Sequence, residues 1–153
     1  MDSRLNSFVA RLQVAFAGEL WGAVLFGSRA RGDAGPSSDY DLFLIIDSLP
    51  QRPLERQESI VQKTGGTHGF NIIARTRAEV ESVFPSLYLD IGQDGVVLLD
   101  RDGYTAAKLE LIRKFTKQAG LTRERLARGF DWCWRRKPGR DWHIGWDGVR
   151  GTG

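Results

Sequence analysis

The 153-residue chain has the composition of one folded domain. Hydrophobic residues make up 41% of it and charged residues 27%, which is ordinary for a soluble globular protein. Its longest apolar run, Leu20–Gly27, is much shorter than the roughly 20 residues that cross a membrane. The N-terminal residues lack the apolar stretch of a signal peptide, and the single cysteine, Cys133, excludes an internal disulfide. We therefore expect a cytoplasmic protein with no membrane partner.

Charge is distributed unevenly along the chain. Residues 1–100 carry 9 Lys/Arg and 13 Asp/Glu, whereas residues 101–153 carry 13 and 6. A basic segment on an acidic body indicates an anionic partner, such as RNA, a nucleotide or an acidic protein face, although a solvated helix face has the same composition. Tryptophans and arginines interleave in RGFDWCWRRKPGRDWHIGW at residues 128–146. This pattern is typical of single-stranded nucleic-acid binders and equally of protein interfaces, unless Trp132 and Trp134 belong to the core.

The apolar pattern predicts helices and strands in a definite order. The first half comprises a helix over 3–20, a strand over 21–26, a turn into a short helix over 27–31, a loop over 32–38 and a strand over 39–47. The middle comprises a helix over 53–63, a Gly-rich turn, a strand over 70–75, helices over 76–84 and 86–91, and a strand over 95–99. The end comprises helices over 103–119 and 122–134 and an irregular segment over 135–153. This alternation predicts a sheet with helices packed on it.

Two aspartates stand at the start of the second predicted strand. Asp39 and Asp41 precede the apolar run LFLII, and side chains two apart on a strand point the same way, about 6.6 Å apart along it. Two carboxylates aimed at one place repel each other unless a cation lies between them. Mg²⁺ is the natural cation, because it is bound by one or two carboxylates together with substrate phosphates.

An anion site is predicted directly after the first strand. Gly27 lets a phosphate approach the backbone, and the following helix start presents free N–H groups. The Ser28 hydroxyl adds a donor, and Arg29 and Arg31 supply positive charge for a triphosphate. A metal pair site facing an anion site is what phosphoryl or nucleotidyl transfer requires. The sequence contains neither the Walker A pattern nor G-x-G-x-x-G.

The motif Gly-Ser, ten residues, Asp-x-Asp resembles the signature of the nucleotidyltransferase superfamily that includes DNA polymerase β, and in particular its minimal nucleotidyltransferases. The motif residues here are Gly27, Ser28, Asp39 and Asp41, and Ser38 also matches common usage in the family. The stretch SLYLDIGQDGVVLLDRDG, residues 86–103, is similar to a downstream segment of prokaryotic members.

The resemblance implies an α+β fold of the polymerase β type, with a mixed, partly antiparallel sheet. The core would span residues 1–102, followed by a basic helical extension over 103–137 packed on it and an irregular or partly disordered tail over 138–153. It further implies two Mg²⁺ ions held by Asp39 and Asp41, with Gly27 and Ser28 holding the β- and γ-phosphates. A hydroxyl would attack the α-phosphate of an NTP, ATP by default, and pyrophosphate would leave near Arg29 or Arg31.

The sequence departs from the family at the third carboxylate, which the family carries on a later strand. That position falls on Asn71, and an amide can ligate a metal but cannot act as a base. His68 is a candidate base if the third strand extends back to it, although a surface turn residue is the simpler interpretation. Asp90 is a further candidate, but a carboxylate among apolar residues needs a partner, such as a backbone N–H or an arginine.

Three functions are consistent with these observations. The first is an Mg²⁺-dependent nucleotidyltransferase, and the resemblance implies acceptors such as a tyrosine of a HEPN-type toxin, an RNA end or a small molecule. The second is a module that binds NTP and regulates a partner without catalysis, because Asn71 replaces the third carboxylate. The third is an RNA-binding accessory protein that uses the basic C-terminal region.

Overall fold

Strands are separated by one or two helices up to the last long helix, and two short hairpins follow it. The computed structural model describes residues 2–152, so Met1 and Gly153, the ends of the predicted core and tail, lie outside the described residues. The helices are α1 (Ser3–Ala15), α2 (Gly27–Arg31), α3 (Pro53–Thr64), α4 (Arg77–Ser82), α5 (Leu87–Asp94) and α6 (Tyr104–Gln118). The strands are β1 (Leu20–Phe26), β2 (Tyr40–Ile46), β3 (Phe70–Arg75), β4 (Val96–Asp100), β5 (Leu121–Arg125), β6 (Phe130–Trp134), β7 (His143–Gly145) and β8 (Gly148–Arg150). None of the helices in this part of the chain has the length and hydropathy that crossing a bilayer requires.

Four strands form one mixed sheet in the order β3-β2-β1-β4. Strand β1 runs antiparallel to β2 and β4, whereas β2 runs parallel to β3. A parallel pair needs a crossover connection, and α3 lies in the connection between β2 and β3. The predicted α+β fold with a mixed sheet and packed helices is therefore confirmed.

Helices cover both faces of the sheet, because successive side chains of a strand point to opposite faces. On β2, Leu42, Leu44 and Ile46 belong to the core that contains buried residues of α1 and α3. Phe43 and Ile45 belong to the other core, which contains buried residues of α4, α5 and α6. The run LFLII is apolar throughout because β2 is buried on both sides, and the two cores hold this central strand in place.

The predicted elements of the first 120 residues agree with the structure to within three residues at each end, apart from the end of the first helix, and Asp39 falls just outside the strand predicted to contain it. The helix predicted over 3–20 ends at Ala15, because the chain turns at Gly18, which has a left-handed φ of 81°. Strand β1 then begins at Leu20. The capping box predicted from Thr76 and Glu79 is present at the start of α4.

The helix predicted over 122–134 is wrong, because this segment is the antiparallel hairpin β5–β6. Helix α6 ends just before Gly120, which has a φ of 69°. Gly129, with a φ of 79°, lies in the turn between β5 and β6. The aromatic residues Phe130, Trp132 and Trp134 recur every second residue, which is the period of a strand. The predicted basic extension over 103–137 is thus helical only over α6.

The segment predicted to be irregular after residue 134 contains the hairpin β7–β8. Trp146 lies in the turn of this hairpin. Its indole Nε1 donates to the carbonyl oxygens of Val80, at 2.6 Å, and Val83, at 2.9 Å. The Trp146 ring also packs against Phe84, with 4.9 Å between ring centroids. A tryptophan anchored on α4 therefore orders part of the predicted tail.

Candidate active site

Asp41 is the centre of the candidate site, at one end of the sheet. It lies opposite Phe26 of antiparallel β1 and opposite Asn71 of parallel β3. Gly27 follows Phe26 directly and begins α2. The pairing of three strands therefore brings the Gly27–Ser28 turn, Asp41 and Asn71 together, although they are distant in sequence.

The carboxylate of Asp41 lies against the backbone of Gly27. A Cβ atom built on Gly27 would be 2.1 Å from Asp41 Oδ2, and Gly27 has a φ of 72°. Both the space and the backbone conformation therefore require glycine at this position. On the other side of the carboxylate, Asn71 Nδ2 donates to Asp41 Oδ1 at 3.1 Å.

Asp39 is an exposed residue that precedes β2 by one position. The alternation of side chains along a strand therefore fixes the direction of Asp41 but not that of Asp39. The neighbouring residue Tyr40 anchors this start of the strand, since its N–H donates to the carbonyl oxygen of Gly69 at 3.0 Å.

Two residues predicted to bind phosphate, Arg29 and Ser38, contact each other. Arg29 donates from Nε and Nη2 to the carbonyl oxygen of Ser38, at 3.1 and 2.8 Å. Its guanidinium also lies 4.6 Å from the centroid of the Tyr40 ring. Arg29 thereby fastens the loop between α2 and β2, and a role of Arg29 or Ser38 in phosphate binding stays a prediction.

A cleft of about 340 Å³ opens beside Asp41. Four predicted site residues line it, namely Gly27, Ser28, Arg31 and Asp41. Its other wall comes from α5 and the β5–β6 hairpin and includes Leu87, Asp90, Asp94 and Phe130. One side of the cleft is thus a glycine-serine turn with a carboxylate, and the other side combines acidic and apolar residues.

Arg31 is held inside this cleft by two carboxylates. Its Nη1 donates to Asp94 Oδ2 at 2.9 Å, and its Nε donates to Asp33 Oδ2 at 3.1 Å. Burial works against the charge of Arg31, but the hydrogen bonds that it donates to Asp33 and Asp94 outweigh this effect and raise the pKa of Arg31. The guanidinium is therefore charged and has a fixed position.

Of the wall formed by Asp90, Asp94 and Phe130, the sequence indicated only Asp90, as a candidate carboxylate that needs a partner. The structure places Asp90 in the cleft, whereas Asp94 and Phe130 were missed. The structure supplies two partners, because Arg123 Nη1 and Trp132 Nε1 donate to Asp90 Oδ1 at 3.3 and 3.1 Å. The rest of the wall depends on the hairpin, which was predicted as a helix.

His68 lies outside this arrangement. Strand β3 begins at Phe70, and Gly69, with a φ of 86°, turns the chain just before it. The strand therefore does not extend back to His68, as its role as a base would require. His68 is an exposed turn residue whose carbonyl oxygen accepts from Arg4 Nη2 at 2.8 Å.

The donors around Asp41 suit a hard divalent cation. Asp39 and Asp41 offer carboxylate oxygens and Asn71 offers an amide oxygen, which are the ligand types that Mg²⁺ prefers. Within residues 2–152, no cluster of three or more His, Cys, Asp or Glu is placed to bind a metal. By donor type these three residues fit Mg²⁺, and an ion held by them would complete its coordination with water and substrate oxygens.

The Gly27 contact can be tested by two matched substitutions at the two ends of α2. Both Gly27→Ala and Gly32→Ala should lower the free energy of unfolding. The loss for Gly27→Ala should be the larger by about 1–3 kcal/mol, because its new Cβ collides with Asp41. Gly32 has a φ of 84° and no heavy atom within 4 Å of an added Cβ, so Gly32→Ala has only the backbone cost of about 1–2 kcal/mol. Urea unfolding of both variants measures the difference, and equal losses would contradict the close contact.

Comparisons with known proteins agree with this geometry. The sequence profile of the family described as "Nucleotidyltransferase domain" matches residues 12–118, which include Gly27, Asp41 and Asn71 but not the two C-terminal hairpins. A relative in Methanocaldococcus jannaschii, named as a protein adenylyltransferase, is 30% identical over 125 residues, which are 77% of this chain and 84% of the relative.

Two solved structures share the fold. A crystal structure of a toxin-antitoxin with AMP-PNP has a TM-score of 0.52 at 15% identity and covers 74% of this chain and 86% of its own. A mutant of the toxin-antitoxin MntA-HpeT has a TM-score of 0.50 at 14% identity and covers 72% of this chain and 85% of its own. With the motif, the mixed sheet and the matched profile in agreement, the chain belongs to the nucleotidyltransferase domain family.

Proposed function

We propose that this nucleotidyltransferase transfers AMP from ATP to a hydroxyl group of a partner protein and depends on Mg²⁺. The observation that carries the proposal is the Asp41 carboxylate, which lies against the Gly27 backbone at the mouth of an open cleft. The M. jannaschii relative named as a protein adenylyltransferase supports a protein acceptor. The structure solved with AMP-PNP, whose fold is similar, supports an adenine nucleotide.

In the proposed reaction, the oxygen of the acceptor hydroxyl forms a bond to the α-phosphorus of ATP. The bond between the α-phosphorus and the bridging oxygen breaks, pyrophosphate leaves, and the hydroxyl proton passes to solvent. The N–H groups of the Gly27–Ser28 turn and the Ser28 hydroxyl hold the β- and γ-phosphates. Arg31 lies in the same cleft and stabilises the charge on the leaving pyrophosphate.

Asp39 and Asp41 would hold the metal, together with the amide oxygen of Asn71. Bound Mg²⁺ supplies positive charge that neutralises the phosphate oxygens. The side chain of Asn71 must rotate for this role, because its Nδ2 faces Asp41 Oδ1 in the structure. Rotation of an amide exchanges a donor for an acceptor at nearly the same place.

The acceptor we propose is a HEPN-type toxin, which makes this protein its antitoxin. The resemblance to minimal nucleotidyltransferases implies a tyrosine of such a toxin as the acceptor, and two structures with this fold are of toxin-antitoxins. The cleft beside Asp41 is open, as access of an acceptor protein to the site requires.

The first test is transfer of label from α-labelled ATP. Wild-type protein with Mg²⁺ and a HEPN-type partner should label the partner and release pyrophosphate. Asp41→Asn should lower the rate by about a hundredfold or more, because it removes a charged metal ligand next to the substrate phosphates. Asp131→Asn, an exposed position on β6 outside the cleft, is the control and should retain the rate. Full turnover by the Asp41→Asn variant would contradict the proposal.

A second candidate function is binding of NTP without transfer, and the observation that favours it is Asn71 in place of a carboxylate. Asn71→Asp distinguishes the two functions. If transfer is the function, this substitution should raise the rate about tenfold, because it adds a charged ligand beside Asp41. Without Mg²⁺ the two carboxylates repel each other, so the variant should melt at a lower temperature and regain stability when Mg²⁺ is added.

Asn6→Asp, an exposed substitution of the same type on α1, is the matched control, and its melting temperature should not respond to Mg²⁺ beyond the wild-type response. ATP binding with no transfer by either the wild type or the Asn71→Asp variant would favour the binding module.

A third candidate, RNA binding, is favoured by the surface around Trp142. Trp142 is 47% exposed, and its ring packs edge-on against Trp134, with 5.0 Å between centroids. The segment that joins the two tryptophans carries exposed cations, namely Arg135, Arg136, Lys137 and Arg140.

Single-stranded RNA bound there should lose affinity steeply between 50 and 200 mM salt, by roughly tenfold or more. Fluorescence anisotropy of a labelled oligonucleotide measures this loss. The Asp39→Ala variant should bind equally well, whereas Trp142→Ala should bind at least about fivefold more weakly. An RNA affinity that changes neither with salt nor with the Trp142→Ala substitution would contradict this candidate.

A further inference from the structure

The β5–β6 hairpin lies outside the matched family region, which ends at residue 118, yet it forms part of the cleft. Gly129 and Phe130 line the same cleft as Gly27, Ser28 and Asp41. A segment that the family profile does not include therefore faces the residues of the family motif.

The hairpin is attached to the site through Asp94 of α5. The Asp94 side chain is only 4% exposed and accepts from Arg123 Nη2 at 2.6 Å and from Arg31 Nη1 at 2.9 Å. The hydrogen bond to Asp94 is the main cause that raises the pKa of Arg123. One buried carboxylate thus joins an arginine of the hairpin to an arginine of α2.

A second link connects the hairpin to α2 through Asp33. Asp33 Oδ2 accepts from Arg125 Nη2 of the hairpin at 2.9 Å and from Arg31 Nε at 3.1 Å. These hydrogen bonds, first from Arg125 and then from Arg31, keep the pKa of the Asp33 carboxyl below its usual value. Arg31 is therefore bound to carboxylates on two sides, and both carboxylates also bind the hairpin.

The ring of Phe130 completes this enclosure. The guanidinium carbons of Arg31 and Arg123 lie 4.7 and 4.1 Å from its centroid, and that of Arg125 lies 4.9 Å away. Cations at such distances are attracted to an aromatic face. The hydrogen bonds of Arg31 to carboxylates within residues 2–152 use Nε and Nη1, which leaves the Nη2 donors for a ligand.

We propose that the β5–β6 hairpin completes the nucleotide site by fixing Arg31, so that its Nη2 donors face the β- and γ-phosphates of a nucleoside triphosphate in the cleft. Phe130 and Asp94 are positioning residues that act through Arg31. An arginine that is already ordered loses less side-chain entropy when it binds phosphate. This inference rests on the proposed function, because it requires a nucleotide in this cleft.

A double-mutant cycle tests the coupling of Phe130 to Arg31. Affinities for AMP-PNP with Mg²⁺ and for AMP are measured by titration calorimetry in the wild type, Phe130→Leu, Arg31→Ala and the double variant. Phe130→Leu should weaken AMP-PNP about fivefold and AMP less than about twofold, because AMP lacks the β- and γ-phosphates. In the Arg31→Ala background the same substitution should have almost no further effect, since the two residues act as one unit.

Phe130→Tyr retains an aromatic face and should keep the wild-type affinity. Asp131→Ala, on the neighbouring position of the same strand, is the matched control for damage to the hairpin. Far-UV circular dichroism and melting temperature show whether each variant is folded. If Phe130→Leu unfolds the protein, the AMP-PNP affinities of Arg31→Ala and Phe130→Tyr test the proposal instead. An unchanged AMP-PNP affinity in Arg31→Ala overturns it.

Additive losses in the cycle, or an equal loss for AMP and AMP-PNP, would also overturn it, because Phe130 would then act on the nucleotide independently of Arg31. These outcomes differ from failure of the proposed function. If no nucleotide occupies this cleft, wild-type protein shows no AMP-PNP affinity that depends on Asp41. If the nucleotide binds but no AMP is transferred, the proposed function fails while the coupling of Phe130 to Arg31 is still measured.

Discussion

The contact between the Asp41 carboxylate and the Gly27 backbone is the constraint on which the site depends. Any side chain at position 27 would occupy the place of Asp41 Oδ2, and the left-handed backbone at Gly27 turns β1 directly into α2. The same glycine therefore makes room for the carboxylate and opens the turn whose N–H groups can meet a phosphate. The carboxylate that we propose as a metal ligand and the turn that we propose as a phosphate site therefore lie side by side, because Gly27 has no side chain.

The sheet keeps these groups in register. Asp41 precedes five residues of β2 that are all buried. A shift by one residue would exchange the side chains that pack in the two cores and would disturb the packing of both. The parallel pairing with β3 then places Asn71 beside Asp41. The geometry of the site is thus a consequence of core packing, and the chemistry at the position of Asn71 can change without a change in the fold.

The sequence predicts those parts of the structure that local residue patterns determine. It does not predict those that depend on contacts between residues distant in the chain. The two-sided burial of β2, the Gly27–Ser28 turn and the position of Asn71 follow from local periodicity and the motif. The β5–β6 hairpin does not, because Thr122–Arg128 is rich in Arg, Glu, Leu and Ala, which favour helices. Its conformation depends on ion pairs such as Arg123 with Asp94, 29 residues apart in sequence. The directions of Arg29 and Arg31 were equally unpredictable, since one fastens a loop and the other lines the cleft.

The most direct test of the site is a crystal structure of the protein with Mn²⁺ and a non-hydrolysable ATP analogue, in which anomalous scattering locates the metal. We expect a metal peak in contact with Asp39 and Asp41, with the triphosphate over the Gly27–Ser28 turn and next to Arg31. A nucleotide bound elsewhere, or a triphosphate in the cleft with no metal at Asp41, would contradict the central role assigned to the Asp41 carboxylate.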